Sequence, residues 1–141
     1  MGFEKGRSAG FLANHMARLF AAGLATRIAP LGIAPAQFMV LLELWSEDGL
    51  TQKELVERLS VEQATMANTL ARMERDELIV RRPSKTDKRS RTVWLTDQAR
   101  GLKEPAIRAA GAQNDVALKG FDAEERAHFL NMMIRVIGNM S

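Results

Sequence analysis

Six basic side chains crowd one short stretch of this sequence: Arg81, Arg82, Lys85, Lys88, Arg89 and Arg91, with Asp87 the one acid among them. The stretch carries +5 while the whole chain carries +3, so the remainder is −2. Cations at that density bind anions, and a nucleic-acid backbone is the anion that presents many phosphates in register. A second polar set recurs upstream at helical spacing. Gln63, Ala64, Thr65, Asn68, Arg72 and Arg75 fall opposite the apolar stripe of Met66, Leu70 and Met73. The amides of Gln63 and Asn68 can pair with base edges in a major groove, and the Thr65 methyl can touch thymine. Arg72 and Arg75, a turn or two further on, reach phosphates. Taken alone, such a face reads as a solvated helix surface; its position directly after a three-residue turn changes that reading.

Catalytic chemistry finds little support. There is no cysteine, which excludes a thiol redox switch, a disulfide framework and thiolate metal sites. No nucleophile motif, phosphate loop or Gly-rich turn occurs. The histidines, His15 and His128, lack partners at metal-ligand spacing, and Glu124 one turn before His128 reads as a salt link. No enzyme activity, cofactor or metal is expected. The N-terminus has no long apolar run with a small-residue cleavage site, and no window approaches a membrane span, so a cytoplasmic location without membrane contact is the default.

The elements that must position the two polar sets lie between Thr51 and Thr96. Thr51 with Glu54 forms a capping box for one helix, with Leu55, Val56 and Leu59 inward. A tight break at Leu59-Ser60-Val61 follows, with Ser60 read as the cap of the next helix. Leu78 to Arg82 reads as a strand ended by Pro83, Ser84 to Ser90 as a loop, and Arg91 to Leu95 as the return strand. Helix, turn, helix and hairpin in that order are the layout of a winged helix. The fold class is therefore mainly α with a small β-hairpin.

The flanks are helical. A first helix from about Ser8 to Ile28 is apolar over much of its circumference and is expected to be buried on more than one side. Pro30 and Gly32 mark a turn, and Pro35 opens a second helix to about Ser46, with Phe38, Leu41, Leu42 and Trp45 inward. After Thr96 a long helix with a bend near Pro105 is expected. Asp122 and Glu125 cap a last helix bearing Phe129, Met133, Val136 and Met140, with Leu130 and Ile137 beside them. Ends this apolar can build an ordinary monomeric core or pack against a second subunit. The dimer is the preferred reading, with Phe11, Leu12, Phe129, Met133, Val136 and Ile137 at its interface. His15, Met16, Phe38 and Trp45 serve equally as plain core or as the lining of a small-molecule pocket.

At Asp87, Arg89, Val93, Leu95 and Thr96 the wing matches the D-x-R-x-x-x-V-x-L-T pattern of the MarR family of bacterial transcriptional regulators. The chain resembles that family from about Phe11 to Met140, with Ala36-Gln37-Phe38, Thr51 to Leu55 and Arg58-Leu59 also matching. Three positions depart from its pattern. Glu77 stands where glycine usually closes the reading helix, Ala34 replaces a hydroxyl cap, and Asn68 occupies a position where many members have arginine. The resemblance implies one domain over residues 1–141. A winged helix-turn-helix lobe at about 35–96 would bind double-stranded DNA, and a helical dimerisation lobe would use about 8–30 and 97–141. It further implies a homodimeric repressor on a pseudo-palindromic operator and a small aromatic or anionic effector. Arg89 would then meet the minor groove, with Lys85, Lys88 and Arg91 beside it, and Asp87 would hold the wing's shape by pairing with an arginine. The competing reading is a winged helix used for protein contact without DNA readout.

Overall fold

A computed structural model of the protein describes residues 2–87 and 89–141. Seven α-helices and three short strands follow one another in these regions. Helix α1, Ala9–Ile28, begins where Ser8 Oγ accepts the Phe11 N–H. After a single 3₁₀ turn, Ala29–Leu31, the backbone reverses at Gly32 and α2 runs over Pro35–Ser46. Strand β1, Leu50–Thr51, leads straight into α3, Gln52–Leu59. Helix α4 covers Gln63–Arg75, and the hairpin of β2, Ile79–Pro83, and β3, Arg91–Leu95, follows. The chain closes with α5, Asp97–Gly101, α6, Lys103–Ala117, and α7, Ala123–Met140.

The hairpin is one strand richer than the sequence pattern indicates. β1 pairs antiparallel with β3, setting Leu50 opposite Val93, so β3 is the middle strand of three. β2 pairs with the other edge of β3, from Ile79 opposite Leu95 to Pro83 opposite Arg91. Two residues carry too short a pattern to be read as a strand. The core sits under this sheet, where Leu55, Leu70, Met73, Leu78 and Val93 are fully enclosed together with Leu41 and Leu44 of α2. On α2 the buried set is Gln37, Phe38, Val40, Leu41 and Leu44; Leu42, expected inside, is exposed.

Ser60 does not cap α4. It closes α3 in the left-handed conformation at φ 52°, and Glu62 takes the N-cap of α4 without a side-chain bond. A short hydroxyl side chain that can start a helix can also sit at the end of one, and here the turn between the helices claims it. The bend expected near Pro105 falls earlier, as a break at Leu102 that divides the helix into α5 and α6. Proline at the third position of α6 has no N–H for the Gly101 carbonyl and crowds it, so the interruption lands before the ring.

Helix α4 closes on Glu77, which adopts φ 61°. The Glu77 N–H donates to Glu74 O and the Leu78 N–H to Met73 O, the two bonds of a Schellman ending, with Leu78 and Met73 both buried beside each other in the core. The closure is therefore the usual one, made by a residue that pays steric strain for it. Ala34, lacking a hydroxyl, is helped from below. Gln37 Oε1 accepts the Ala34 N–H at 3.0 Å while Gln37 Nε2 donates to Asp76 Oδ2 at 3.0 Å, tying the start of α2 to the end of α4. That bond from Gln37 is the main reason the Asp76 carboxyl lies below its usual range.

At the flanks, α1 packs along α6. The expectation of burial on several sides is not met in a single chain, where Ile28 is the one fully buried residue of α1. Helix α7 has no buried residue; Phe129 meets Phe121, and Arg126 pairs with Asp115 at 3.0 Å. Phe129 and Met133 are half-buried, and its other large apolar side chains face outward, with Ile137 60% exposed.

Candidate nucleic-acid interface

The reading face begins with the cap of α3. Thr51 Oγ1 accepts the Glu54 N–H, and Glu54 Oε1 in turn accepts from the Thr51 N–H and hydroxyl at 3.1 and 3.0 Å. Those bonds, the backbone one foremost, hold Glu54 below the usual carboxylate range. Fixed in this way, α3 supports α4, whose Met66, Leu70 and Met73 enter the core. Gln63, Ala64, Thr65, Asn68, Arg72 and Arg75 are consequently all exposed along the opposite side. Arg75 leans on Asp76 at 3.5 Å, an exposed pair that leaves the guanidinium reachable.

The wing's base is braced from both faces. Asp48 Oδ1 accepts the Gly49 and Leu95 N–H groups, each at 3.0 Å, and Asp48 Oδ2 lies 3.4 Å from Arg100. Gly49 has φ 76°, and a side chain there would run into the Trp94 ring at 2.6 Å, so the β1 corner demands glycine twice over. On the outer face Arg82 lies over Trp94 at 5.3 Å, while Trp94 Nε1 donates to Thr92 Oγ1 at 2.8 Å. On the inner face Arg81 approaches Glu74 of α4 at 3.9 Å.

At the tip, Asp87 Oδ1 accepts the Arg89 backbone N–H at 2.9 Å and Oδ2 accepts from Ser90 Oγ at 3.3 Å. Its partner is thus the backbone of Arg89 rather than a guanidinium, an Asx-type turn that shapes the tip while leaving arginine charge outward. Lys85, Arg89 and Arg91 are exposed; Lys88 lies outside the described residues. The sequence pattern gave no sign of the bonds from Gln37 to Asp76 or from Leu95 to Asp48, which span 39 and 47 positions, and it placed Arg81 among the cations without showing that its strand face turns it inward. The Arg82 and Trp94 contact had a usable signal, since with Arg82 opposite Thr92 and Val80 opposite Trp94 the two are diagonal neighbours on one face of the hairpin, within reach of long side chains.

A cavity of about 750 Å³ separates α1, α2 and α6. Phe20, Phe38, Leu42 and Ile107 line it, with Gln113 and Asn114 as its polar groups. Of the four residues suggested by the sequence, Phe38 lies on its wall. Trp45 stacks edge-on against Phe38 and sends its Nε1–H to Ala99 O, fastening α5 instead. His15 is exposed beside Phe11, and Met16 is partly buried off the cavity wall. Among the described residues no cluster of His, Asp or Glu has the geometry of a metal site, and no single helix is long and apolar enough to cross a membrane.

A three-helix core with a basic hairpin beside an exposed, amide-bearing helix defines a winged-helix protein. The family model for the MarR family matches residues 33–90. Transcriptional regulator HosA of Escherichia coli O127:H6 is 31% identical over 101 residues, covering 72% of this chain and 75% of HosA. The chain belongs to the MarR family, whose members are transcription regulators rather than enzymes. The HTH-type regulator TtmR of Methylorubrum extorquens is 40% identical over 67 residues, 48% of this chain, and the match spans only 34% of TtmR's own length. A MarR family regulator from Listeria monocytogenes, solved in complex with a 26mer DNA, shares the fold at a TM-score of 0.87, with 24% identity over 95% of this chain and 89% of that one.

Proposed function

We propose that this chain is a cytoplasmic homodimeric repressor that reads a pseudo-palindromic operator through α4 and the wing. The observation that carries the reading is the exposed polar face of α4 flanked by a hairpin whose tip is shaped by Asp87 and whose Arg82, Lys85, Arg89 and Arg91 stay solvent-facing. Gln63, Thr65 and Asn68 supply base contacts, while Arg72, Arg75, Lys85, Lys88, Arg89 and Arg91 supply charge to the backbone and the minor groove. That a protein of the same fold has been crystallised with DNA supports the docking mode.

The lobe at about 35–96 is the reader and the end helices are the dimer lobe. Phe11, Leu12, Val136 and Ile137 are exposed in one chain and Phe129 and Met133 half-buried, an apolar surface that a second copy would cover. The cavity between α1, α2 and α6 would take the effector. Its walls carry no cation, so an uncharged aromatic molecule fits it better than an anion. Light scattering combined with duplex titration tests the reading. A dimer that prefers its operator over random duplex supports it. A stable monomer, or no affinity even for random duplex at low salt, would return the winged helix to the role of a protein-contact module.

A further inference from the structure

A cleft of about 340 Å³ opens at the root of the wing, between the start of α3 and the inner side of the hairpin. Lys53 forms one wall and Arg81, Arg89 and Arg91 the other, four cations and no acid among its lining residues. Arg81 is the distinctive member. It shares a strand face with Ile79 and sits opposite buried Val93, so its side chain is only 22% exposed. Its Nε is shut off from solvent and has no hydrogen-bond partner among the described residues. Glu74 Oε1 stands 3.9 Å away, close enough to pair electrostatically and too far to bond. The other nearby acids are committed elsewhere: Glu54 to Thr51, Asp87 to the Arg89 N–H and the Ser90 hydroxyl.

We propose that this cleft binds a phosphate group, with Lys53 and Arg81 acting beside Arg89 and Arg91. Four cations lining one cleft, with Glu74 pairing loosely to Arg81 alone, repel one another unless an anion enters, and a half-sequestered guanidinium favours the planar, bidentate pairing that phosphate offers. Size agrees, since the cleft has room for a tetrahedral anion with its attached chain. Resting on the duplex-binding reading above, the favoured source is one backbone phosphate held between α3 and the wing. That phosphate would join the first helix of the helix-turn-helix to the hairpin and so fix the wing's angle against α4. A free inorganic phosphate offers the same chemistry.

The test compares wild type with Lys53→Gln and Arg81→Gln, each checked by thermal melting. Lys53 is exposed and carries the test alone should Arg81→Gln fail to fold. Affinity is measured against salt on one duplex, and again on duplexes with a neutral methylphosphonate at single backbone positions. Melting is also followed in inorganic phosphate against chloride at matched ionic strength. The expected result is a salt slope about one unit shallower per subunit in each variant. One methylphosphonate position should weaken wild type and lose its effect in the variants, which assigns the DNA backbone. Stabilisation of wild type alone by inorganic phosphate, without that coupling, assigns a free phosphate to the same cleft. Variants that keep the slope, every methylphosphonate effect and the wild-type response to phosphate overturn the proposal. If wild type binds no duplex at all, the duplex reading fails and the inorganic phosphate arm still decides the cleft.

Discussion

Replacing Glu77 with glycine should make the protein more stable, although it deletes a side chain and adds backbone freedom. Glu77 holds φ 61° at the end of α4, where its N–H donates to Glu74 O and its carbonyl accepts from the Thr96 hydroxyl at 2.7 Å. A residue with a Cβ pays about 1–2 kcal/mol in that region. Glycine avoids the cost but loses about 0.4–1 kcal/mol through the greater entropy of its unfolded chain. The net gain is about 0.5–1 kcal/mol, or a Tm rise of about 2–4 °C for a chain of this length. All the backbone bonds named remain available to glycine, so none offsets the gain. Glu77→Ala is the control: it removes the carboxylate and keeps the strain, and should stay within about 0.5 kcal/mol of wild type. Paired thermal and urea denaturation measures both. A Glu77→Gly protein that melts at or below the temperature of Glu77→Ala would refute the claim that the ending of α4 is strained.

Three further outcomes follow from the same geometry. Gly49→Ala should cost about 2–4 kcal/mol, from left-handed strain and from driving a methyl into Trp94, and urea midpoints would show it. Glu54 is held below its unfolded pKa by Thr51, so its contribution is fully present above the unfolded value and fades as pH falls through the folded one. The Tm gap between wild type and Glu54→Gln should therefore begin to close as pH falls below about 4, and a gap constant down to pH 2 would remove the capping box from the explanation. Asn68→Ala should lower operator affinity by about 1–3 kcal/mol per subunit with random duplex little changed; equal losses on both would assign Asn68 to the backbone or to structure.

Local signals made much of this fold legible. The capping boxes at Thr51 and Asp122 form as the sequence indicates, and Met66, Leu70 and Met73 are buried on one stripe of α4. What sequence reading missed was decided at longer range or by competition between neighbours. Ser60 could serve either helix, and the geometry of the turn gave it to α3. Strand β1 exists because the Asp48 and Gly49 corner delivers two residues to the edge of β3, which no two-residue pattern announces. The wide apolar face of α1 was visible, but its partner was not, since a single chain leaves it largely uncovered. In the interface, residue type identified the outward cations, whereas Arg81 and Lys53 acquire meaning only when the hairpin folds back beside α3.

The most direct test of duplex recognition by the wing is a salt titration of wild type and Arg89→Ala on one operator duplex, with melting curves alongside. If each subunit neutralises roughly four phosphates, log K for a dimer should fall with log salt at a slope of about −7, a loss on the order of 10⁴ between 50 and 200 mM. Arg89→Ala should retain the wild-type Tm, bind more weakly, and show a slope about two units shallower in the dimer. An Arg89→Ala protein that keeps both the affinity and the slope would contradict the docking of this wing on DNA.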